Sequence, residues 1–101
     1  FSPLSIATLC HYIERCVAER PLGVFNLGSR EGMSKADFAL AFAAFTGLPT
    51  TNLQRSSIRT HTFAARRPTD MRMQCERFEA RMGLKLPCLI DEIELLAYEY
   101  L

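Results

Sequence analysis

The sequence has no tryptophan, only two lysines, and five residues each of glycine and proline among its 101 residues. So little glycine and proline excludes a collagen-like or low-complexity chain, and an apolar share of 49% excludes an intrinsically disordered one. Long hydrophobic runs are also missing: the most apolar stretch begins at Phe38 and is interrupted by Gly47 and Pro49. Because that stretch is too short to cross a bilayer, we expect no membrane-spanning segment and no membrane partner.

Cysteines are few and widely spaced. The four lie at positions 10, 16, 75 and 88, and no two of them form a Cys-x-x-Cys pair. Zinc sites and disulfide frameworks need characteristic cysteine spacings, so we expect neither of them and no bound metal ion. Unpaired thiols are typical of a reducing compartment. The sequence therefore predicts a cytoplasmic protein.

The net charge is only +1, which gives no strong overall field for nucleic acid. Apart from Phe63, no aromatic residue alternates with the basic ones, so we expect no nucleic-acid partner. The composition of the cations is more informative, since ten arginines accompany the two lysines. A planar, forked guanidinium favours bidentate contacts with anions, whereas lysine gives diffuse solubilising charge.

A chain of this length is expected to form a single domain, residues 1–101, with a thin core. It begins Phe1-Ser2-Pro3 without an initiator methionine, and we expect it to be the C-terminal part of a longer enzyme. Residues 38–45 form a predicted helix that is apolar on every side, which a small domain has difficulty covering. This excess of apolar surface favours missing neighbours or a homo-oligomer.

Capping residues and apolar periodicity predict a mixed α/β fold rich in helices. Ser5 and Ser34 are good N-cap residues for the first two helices, and the first helix gathers its apolar residues on one face. The predicted helices cover residues 6–20, 35–46, 75–82 and 88–100. Strands are predicted at 23–28 and 53–58, and residues 71–74 are predicted to form a short strand or an extended segment. The strand at 23–28 is expected to be buried, because both of its faces are apolar.

One irregular stretch concentrates positive charge. It contains Arg55, Arg59, His61, Arg66, Arg67 and Arg72, opposed only by Asp70. Pro68 favours an extended conformation at Arg67 and so gives its guanidinium a defined direction, which suits a phosphate or diphosphate. We therefore choose Arg67, with Arg66 and Arg72 beside it, as candidate substrate-binding residues. The alternative is a solvated basic loop, or arginine stems packed over apolar surface.

Other polar motifs have simpler explanations. The loop 28–32 lacks the glycine spacing of a phosphate-binding loop, and Ser34 is explained by its role as a helix cap. Asp91, Glu92 and Glu94 complement the dipole at the beginning of the last helix. No Ser/His/Asp or Cys/His/Asp arrangement occurs, so we predict no catalytic residue.

Four segments, in order along the chain, together resemble the C-terminal part of extended short-chain dehydrogenases. They are residues 1–6, 23–29, 33–39 and 66–87. The last segment indicates a particular group within that family. Its Arg66-Arg67-Pro68 beginning and its Gly83–Pro87 ending are similar to those of dTDP-4-dehydrorhamnose reductases and related sugar-nucleotide reductases. The resemblance covers nearly the whole chain, and it departs from the family pattern at Met71, Met73 and Gln74.

This resemblance implies a small C-terminal lobe of a Rossmann-type enzyme that closes over a nucleotide-diphosphate sugar. Arg67 falls on the family's Arg-Pro position and would steady that region or hold the diphosphate. The parent enzyme would use NADPH or NADH with a Tyr-x-x-x-Lys pair. This chain contains neither that pair nor a dinucleotide glycine fingerprint, so we expect it to bind no cofactor alone and to be inactive without a partner Rossmann domain.

Alternatives remain open at this point. One is a non-catalytic regulatory or interaction subunit with the same fold, which would bind nucleotide without turnover. Another is a sugar-nucleotide epimerase. A third is an independent helical module whose apolar helix docks on a partner.

Overall fold

Four α-helices, joined by extended and irregular segments, make up the computed structural model, which describes residues 1–100. The helices are α1 (Ile6–Glu19), α2 (Lys35–Thr46), α3 (Glu76–Met82) and α4 (Leu89–Glu99), and a single 3₁₀ turn covers Ile58–Thr60. All four helices predicted from the sequence are confirmed, with ends that differ by at most one residue.

The two long N-terminal helices begin at the predicted caps. The Ser5 hydroxyl accepts a hydrogen bond of 3.2 Å from the Thr8 nitrogen, and the Ser34 hydroxyl accepts one of 3.1 Å from the Asp37 nitrogen. These bonds satisfy backbone donors that have no partner inside the helix. Ser34 is therefore occupied as a cap, as the sequence predicts.

None of the predicted strands forms within residues 1–100. The nearest approach to a ladder is an isolated parallel bridge between Arg30 and Cys88. The segment 24–27 has no regular secondary structure, and Val24 is 85% exposed, so the predicted burial of this strand is wrong. A strand needs a neighbour for its backbone groups, and no part of residues 1–100 supplies one here. The helix-rich character of the predicted fold is confirmed, whereas an α/β architecture is not shown.

Phe78 of α3 lies at the centre of the principal core. The buried members of this cluster are Cys75, Phe78, Met82 and Leu86, packed by Tyr12, Cys16, Phe25, Leu27 and Leu84. Tyr12 and Phe25 meet the Phe78 ring edge to face, with centroids 6.0 and 6.2 Å away. Edge-to-face geometry is favoured between aromatic rings, so Phe78 links α1 and the segment 24–27 to α3.

A second packed layer joins α2 and α4. Leu89, Ile93 and Ala97 of α4 are buried, as is Ala43 of α2. The remaining apolar side chains of α2 are half-buried or, like Phe45, exposed. The all-round apolar helix is therefore covered on one side and incompletely elsewhere.

The apolar face of α1 is the largest exposed hydrophobic feature of the first 25 residues. Ile6 is 80%, Ile13 50% and Val17 71% exposed, and the surface continues to Leu22 and Val24. The core contacts of α1 come from Tyr12 and Cys16 instead. Among residues 1–100, no helix has the length and apolar character needed to cross a membrane.

The first two residues tie the loop 28–33 to the arginine-rich segment. Backbone bonds run from the Ser29 nitrogen to the Ser2 oxygen (3.0 Å) and from the Met33 nitrogen to the Phe1 oxygen (3.1 Å). The Ser2 hydroxyl also accepts a bond of 3.2 Å from the Met73 nitrogen. A Cβ at Gly28 would lie 2.7 Å from the Ser2 oxygen, so this approach requires glycine. These loop amides bind protein oxygens, which agrees with the prediction that the loop is not a phosphate loop.

Candidate anion-binding site

A long exposed segment between α2 and α3 carries the candidate site. Every residue from Gly47 to Gln74 is exposed except Phe63, which is half-buried. The segment is rich in Ser, Thr and Arg and has no apolar periodicity, so it cannot bury one face and stays irregular. Its one 3₁₀ turn, at 58–60, begins at Ser57, whose hydroxyl accepts a 3.2 Å bond from the Arg59 nitrogen.

Within this segment the chain folds around an open pocket of about 420 Å³. The pocket is lined by Ile58, Arg59, His61, Phe63, Ala65, Arg66, Arg67 and Thr69. Two of the three predicted substrate-binding residues, Arg66 and Arg67, are therefore brought together here. His61, which the sequence places beside the arginines, lines the same pocket, and its Nε2 lies 3.2 Å from the Ser56 hydroxyl.

The Arg67 guanidinium lies over an aromatic ring. Its central carbon lies 4.1 Å from the centroid of Phe63. A cation at this distance over a ring face is attracted by the negative face of the ring. Phe63 also approaches His61, with ring centroids 6.3 Å apart. The pocket therefore has an aromatic wall as well as positive charge.

No carboxylate side chain of residues 1–100 lines this pocket. In the same part of the chain, Arg59, Arg66 and Arg67 take part in none of the ion pairs. Asp70, the only acidic residue between positions 55 and 75, is engaged elsewhere. The three guanidinium charges are therefore left uncompensated, an arrangement that attracts a multivalent anion.

The partner of Asp70 is Arg72. The Arg72 Nη2 lies 2.6 Å from the Asp70 Oδ2, and its Nε donates a bond of 3.0 Å to the Oδ1. These bonds hold the pKa of Asp70 well below its usual value, and the same contact raises the pKa of Arg72. The structure does not place Arg72 in the pocket with Arg66 and Arg67, so its proposed contact with substrate has no support from the geometry.

Another arginine of the cluster anchors the segment rather than lining the pocket. The Arg55 Nη1 lies 2.7 Å from the Asp37 Oδ1, at the beginning of α2. This contact lowers the pKa of Asp37 and ties the start of the segment to the helix. The other end is tied down by the bond between Met73 and Ser2. The pocket thus lies on a loop fixed at both ends.

Sequence reasoning missed Phe63 as a site residue. It is the only aromatic residue between Phe45 and Phe78 apart from His61, and it precedes Arg67 by four positions. An isolated phenylalanine inside a basic loop was the available signal.

A second, larger cavity has different chemistry. An apolar groove of about 500 Å³ lies between α2 and α4, lined by Phe38, Phe42, Thr46, Leu48, Leu96 and Tyr100. None of these lining side chains is charged, and the polar groups of the lining are the hydroxyls of Thr46 and Tyr100. Within residues 1–100, no group of three or more His, Cys, Asp or Glu side chains is placed to hold a metal ion.

Comparisons with protein-family models, with curated proteins and with solved structures find no significant match for this chain.

Proposed function

We propose that the chain binds a nucleotide-diphosphate sugar in the pocket formed by residues 58–69. The observation that carries this proposal is the convergence of Arg59, Arg66 and Arg67 on one pocket, with no carboxylate side chain of residues 1–100 in its lining. A diphosphate offers several acceptor oxygens and at least two negative charges, which forked guanidinium donors match.

The size and walls of the pocket agree with such a ligand. Its volume of about 420 Å³ falls within the range of roughly 300–1,000 Å³ typical of small-molecule sites. Phe63 and Ile58 supply apolar wall, and His61 and Thr69 supply further hydrogen-bonding groups. A ligand with a charged centre and less polar ends fits this distribution better than a free inorganic anion does.

We further propose that the chain acts as the substrate-binding part of an NAD(P)-dependent sugar-nucleotide reductase. This part of the proposal rests on the resemblance to dTDP-4-dehydrorhamnose reductases, with Arg67 on the Arg-Pro position. NADPH or NADH and the catalytic groups would belong to a Rossmann domain outside this sequence. The α/β lobe and the cytoplasmic location expected from the sequence belong to the same proposal.

The shape of the molecule supports docking on such a domain. Its dimensions are 46 × 37 × 19 Å and its radius of gyration is 16.0 Å, against about 13 Å for a compact domain of 100 residues. The exposed face of α1 runs into the segment 24–27, whose backbone groups have no partner strand within residues 1–100. A domain that presents a sheet edge and an apolar surface would cover both features together.

The binding proposal is tested by calorimetric titration of the 101-residue chain with dTDP, with dTDP-glucose and with thymidine at low salt. We expect both diphosphates to bind and thymidine to bind far more weakly. Arg67→Ala should weaken diphosphate binding about tenfold or more, because charge-assisted bidentate bonds are lost. Arg81→Ala removes the same charge from the exposed surface of α3 and is the matched control. No diphosphate binding, or equal losses in the two variants, would refute the proposal.

The exposed apolar face of α1 also supports the second candidate, a non-catalytic interaction subunit. Adding a dinucleotide-binding domain of a sugar-nucleotide reductase to this chain distinguishes the two candidates. Oxidation of NADPH that depends on both parts and on a dTDP-4-keto sugar is the result expected of a reductase. A stable complex that binds nucleotide sugar without turnover is the result expected of the interaction subunit.

A further inference from the structure

We propose that Phe63 is a positioning residue that holds the Arg67 guanidinium ready for the diphosphate. This inference rests on the proposed function, because it concerns the same pocket and the same ligand. It assigns a role to a side chain that carries no charge and no hydrogen-bonding group. The juxtaposition that carries it is the 4.1 Å stack of Arg67 on the Phe63 ring.

Phe63 is the only residue from Gly47 to Gln74 that is not exposed. Its ring is therefore more shielded from solvent than any other side chain of this segment. Arg67 itself makes no side-chain hydrogen bond or ion pair with any of residues 1–100, so the ring is its principal restraint. An arginine restrained before binding loses less side-chain entropy when it meets its ligand.

The contact also leaves the hydrogen-bonding capacity of the guanidinium intact. A cation–π contact places no protein oxygen on the five N–H donors, so they remain available to an anion. Arg72 shows the contrasting arrangement, because Asp70 restrains it through those same donors and neutralises its charge. An aromatic partner, unlike a carboxylate, therefore restrains an arginine and leaves its N–H donors free to bind an anion.

Pro68 restrains Arg67 as well, through the backbone. The residue before a proline is held out of the helical region, which fixes where the Arg67 side chain leaves the main chain. Phe63 then fixes where that side chain ends. Arg66 lines the pocket without an aromatic partner among residues 1–100, so the effect of the ring should be specific to Arg67.

A double-mutant cycle on the 101-residue chain tests the proposal, with dTDP and inorganic pyrophosphate as probes. Phe63→Leu should weaken the binding of both probes about two- to fivefold, the strength of an exposed cation–π contact. Phe63→Tyr, which keeps the ring, should restore binding. In the Arg67→Ala background, Phe63→Leu should have no further effect, whereas in Arg66→Ala it should keep its full effect. Phe45→Leu, an exposed ring on α2, is the control for loss of an aromatic residue.

Several results would overturn the inference. Loss of dTDP binding with unchanged pyrophosphate binding would mean that the ring contacts the nucleoside directly. A full effect of Phe63→Leu in Arg67→Ala would mean that the two side chains act independently. Unchanged binding in Phe63→Leu would refute the positioning role and leave the proposed function standing. If the unchanged chain binds neither probe, both proposals fail. Far-UV circular dichroism of each variant confirms that the helices are retained.

Discussion

The carboxylate of Glu92, in α4, accepts a hydrogen bond of 2.6 Å from the backbone nitrogen of Ser5, at the beginning of α1. Its second oxygen accepts a bond of 2.8 Å from the Thr8 hydroxyl. Glu92 is only 6% exposed, so its side chain is largely shielded from water. A negative charge at this position satisfies free donors and complements the dipole of α1. Glu92 thus stabilises the beginning of a second helix, beyond the role in its own helix that the sequence predicts.

Removing this carboxylate should destabilise the protein. We expect Glu92→Ala to lower the free energy of unfolding by about 1.5–3 kcal/mol, the range for hydrogen bonds to a charged group. Glu92→Gln keeps one acceptor and should lose less. Glu94→Ala changes an exposed glutamate on the same helix and is the control. Urea denaturation followed by circular dichroism measures all three, and equal losses at positions 92 and 94 would contradict the assignment.

The exposed face of α1 should tolerate charge. Val17→Lys changes a side chain that is 71% exposed, so we expect a change in unfolding free energy within about 0.5 kcal/mol. The same substitution should reduce binding of a hydrophobic dye, because it interrupts the apolar surface. By contrast, Phe78→Ala empties the centre of the core and should cost about 3–5 kcal/mol. A large loss in Val17→Lys would show that this face is covered in solution.

The helices were predictable because their signals are local. Ser5 and Ser34 bind donors three residues away, and Gly47 and Gly83 end α2 and α3 in the left-handed conformation. Such contacts can be inferred from a few neighbouring residues. The strand predicted at 23–28 failed for the opposite reason. Its apolar pattern is real, but a strand depends on a distant partner that residues 1–100 do not supply.

In the candidate site too, some features could be proposed from neighbouring residues, whereas others depend on the path of the chain. Pro68 favours one direction for its neighbour Arg67, and Arg66 lies beside it, so the sequence could propose both residues. Arg72 was chosen on proximity in the chain alone, and its pairing with Asp70 cannot be read from that proximity. The stack of Phe63 on Arg67 needs the path of the loop between them, which short-range patterns do not determine.

The cysteines should differ in thiol reactivity because they differ in burial. Cys75 is only 6% exposed, and burial raises the pKa of its thiol, whereas Cys10 is exposed on α1. The thiolate is the reactive form, so at pH 8 iodoacetamide should modify Cys10 well before Cys75. Mass mapping at successive times measures the order, and labelling in urea is the control in which the difference should disappear. Early modification of Cys75 in the folded protein would contradict its placement in the core.

Replacing Asp70 should strengthen anion binding. Asp70→Asn removes the only acidic residue of the segment and releases the donors of Arg72, so we expect tighter dTDP binding, by about two- to fivefold, with a steeper dependence on salt. Asp37→Asn releases Arg55, which lies outside the pocket, and is the matched control for added charge.

The pH dependence of this pair has a definite sign. Because Arg72 lowers the pKa of Asp70 in the folded state, the pair contributes stability above the unfolded pKa of about 3.9, and this contribution is lost as the pH falls through the folded value. The stability difference between the unchanged protein and Asp70→Asn should therefore be constant from pH 5 to 8 and shrink below about pH 4. Since the carboxylate stays ionised from pH 5 to 8, the gain in dTDP binding should not come from its titration. A gain that disappears between pH 5 and 8, or weaker binding in Asp70→Asn, would show that Asp70 does not limit the charge of the pocket.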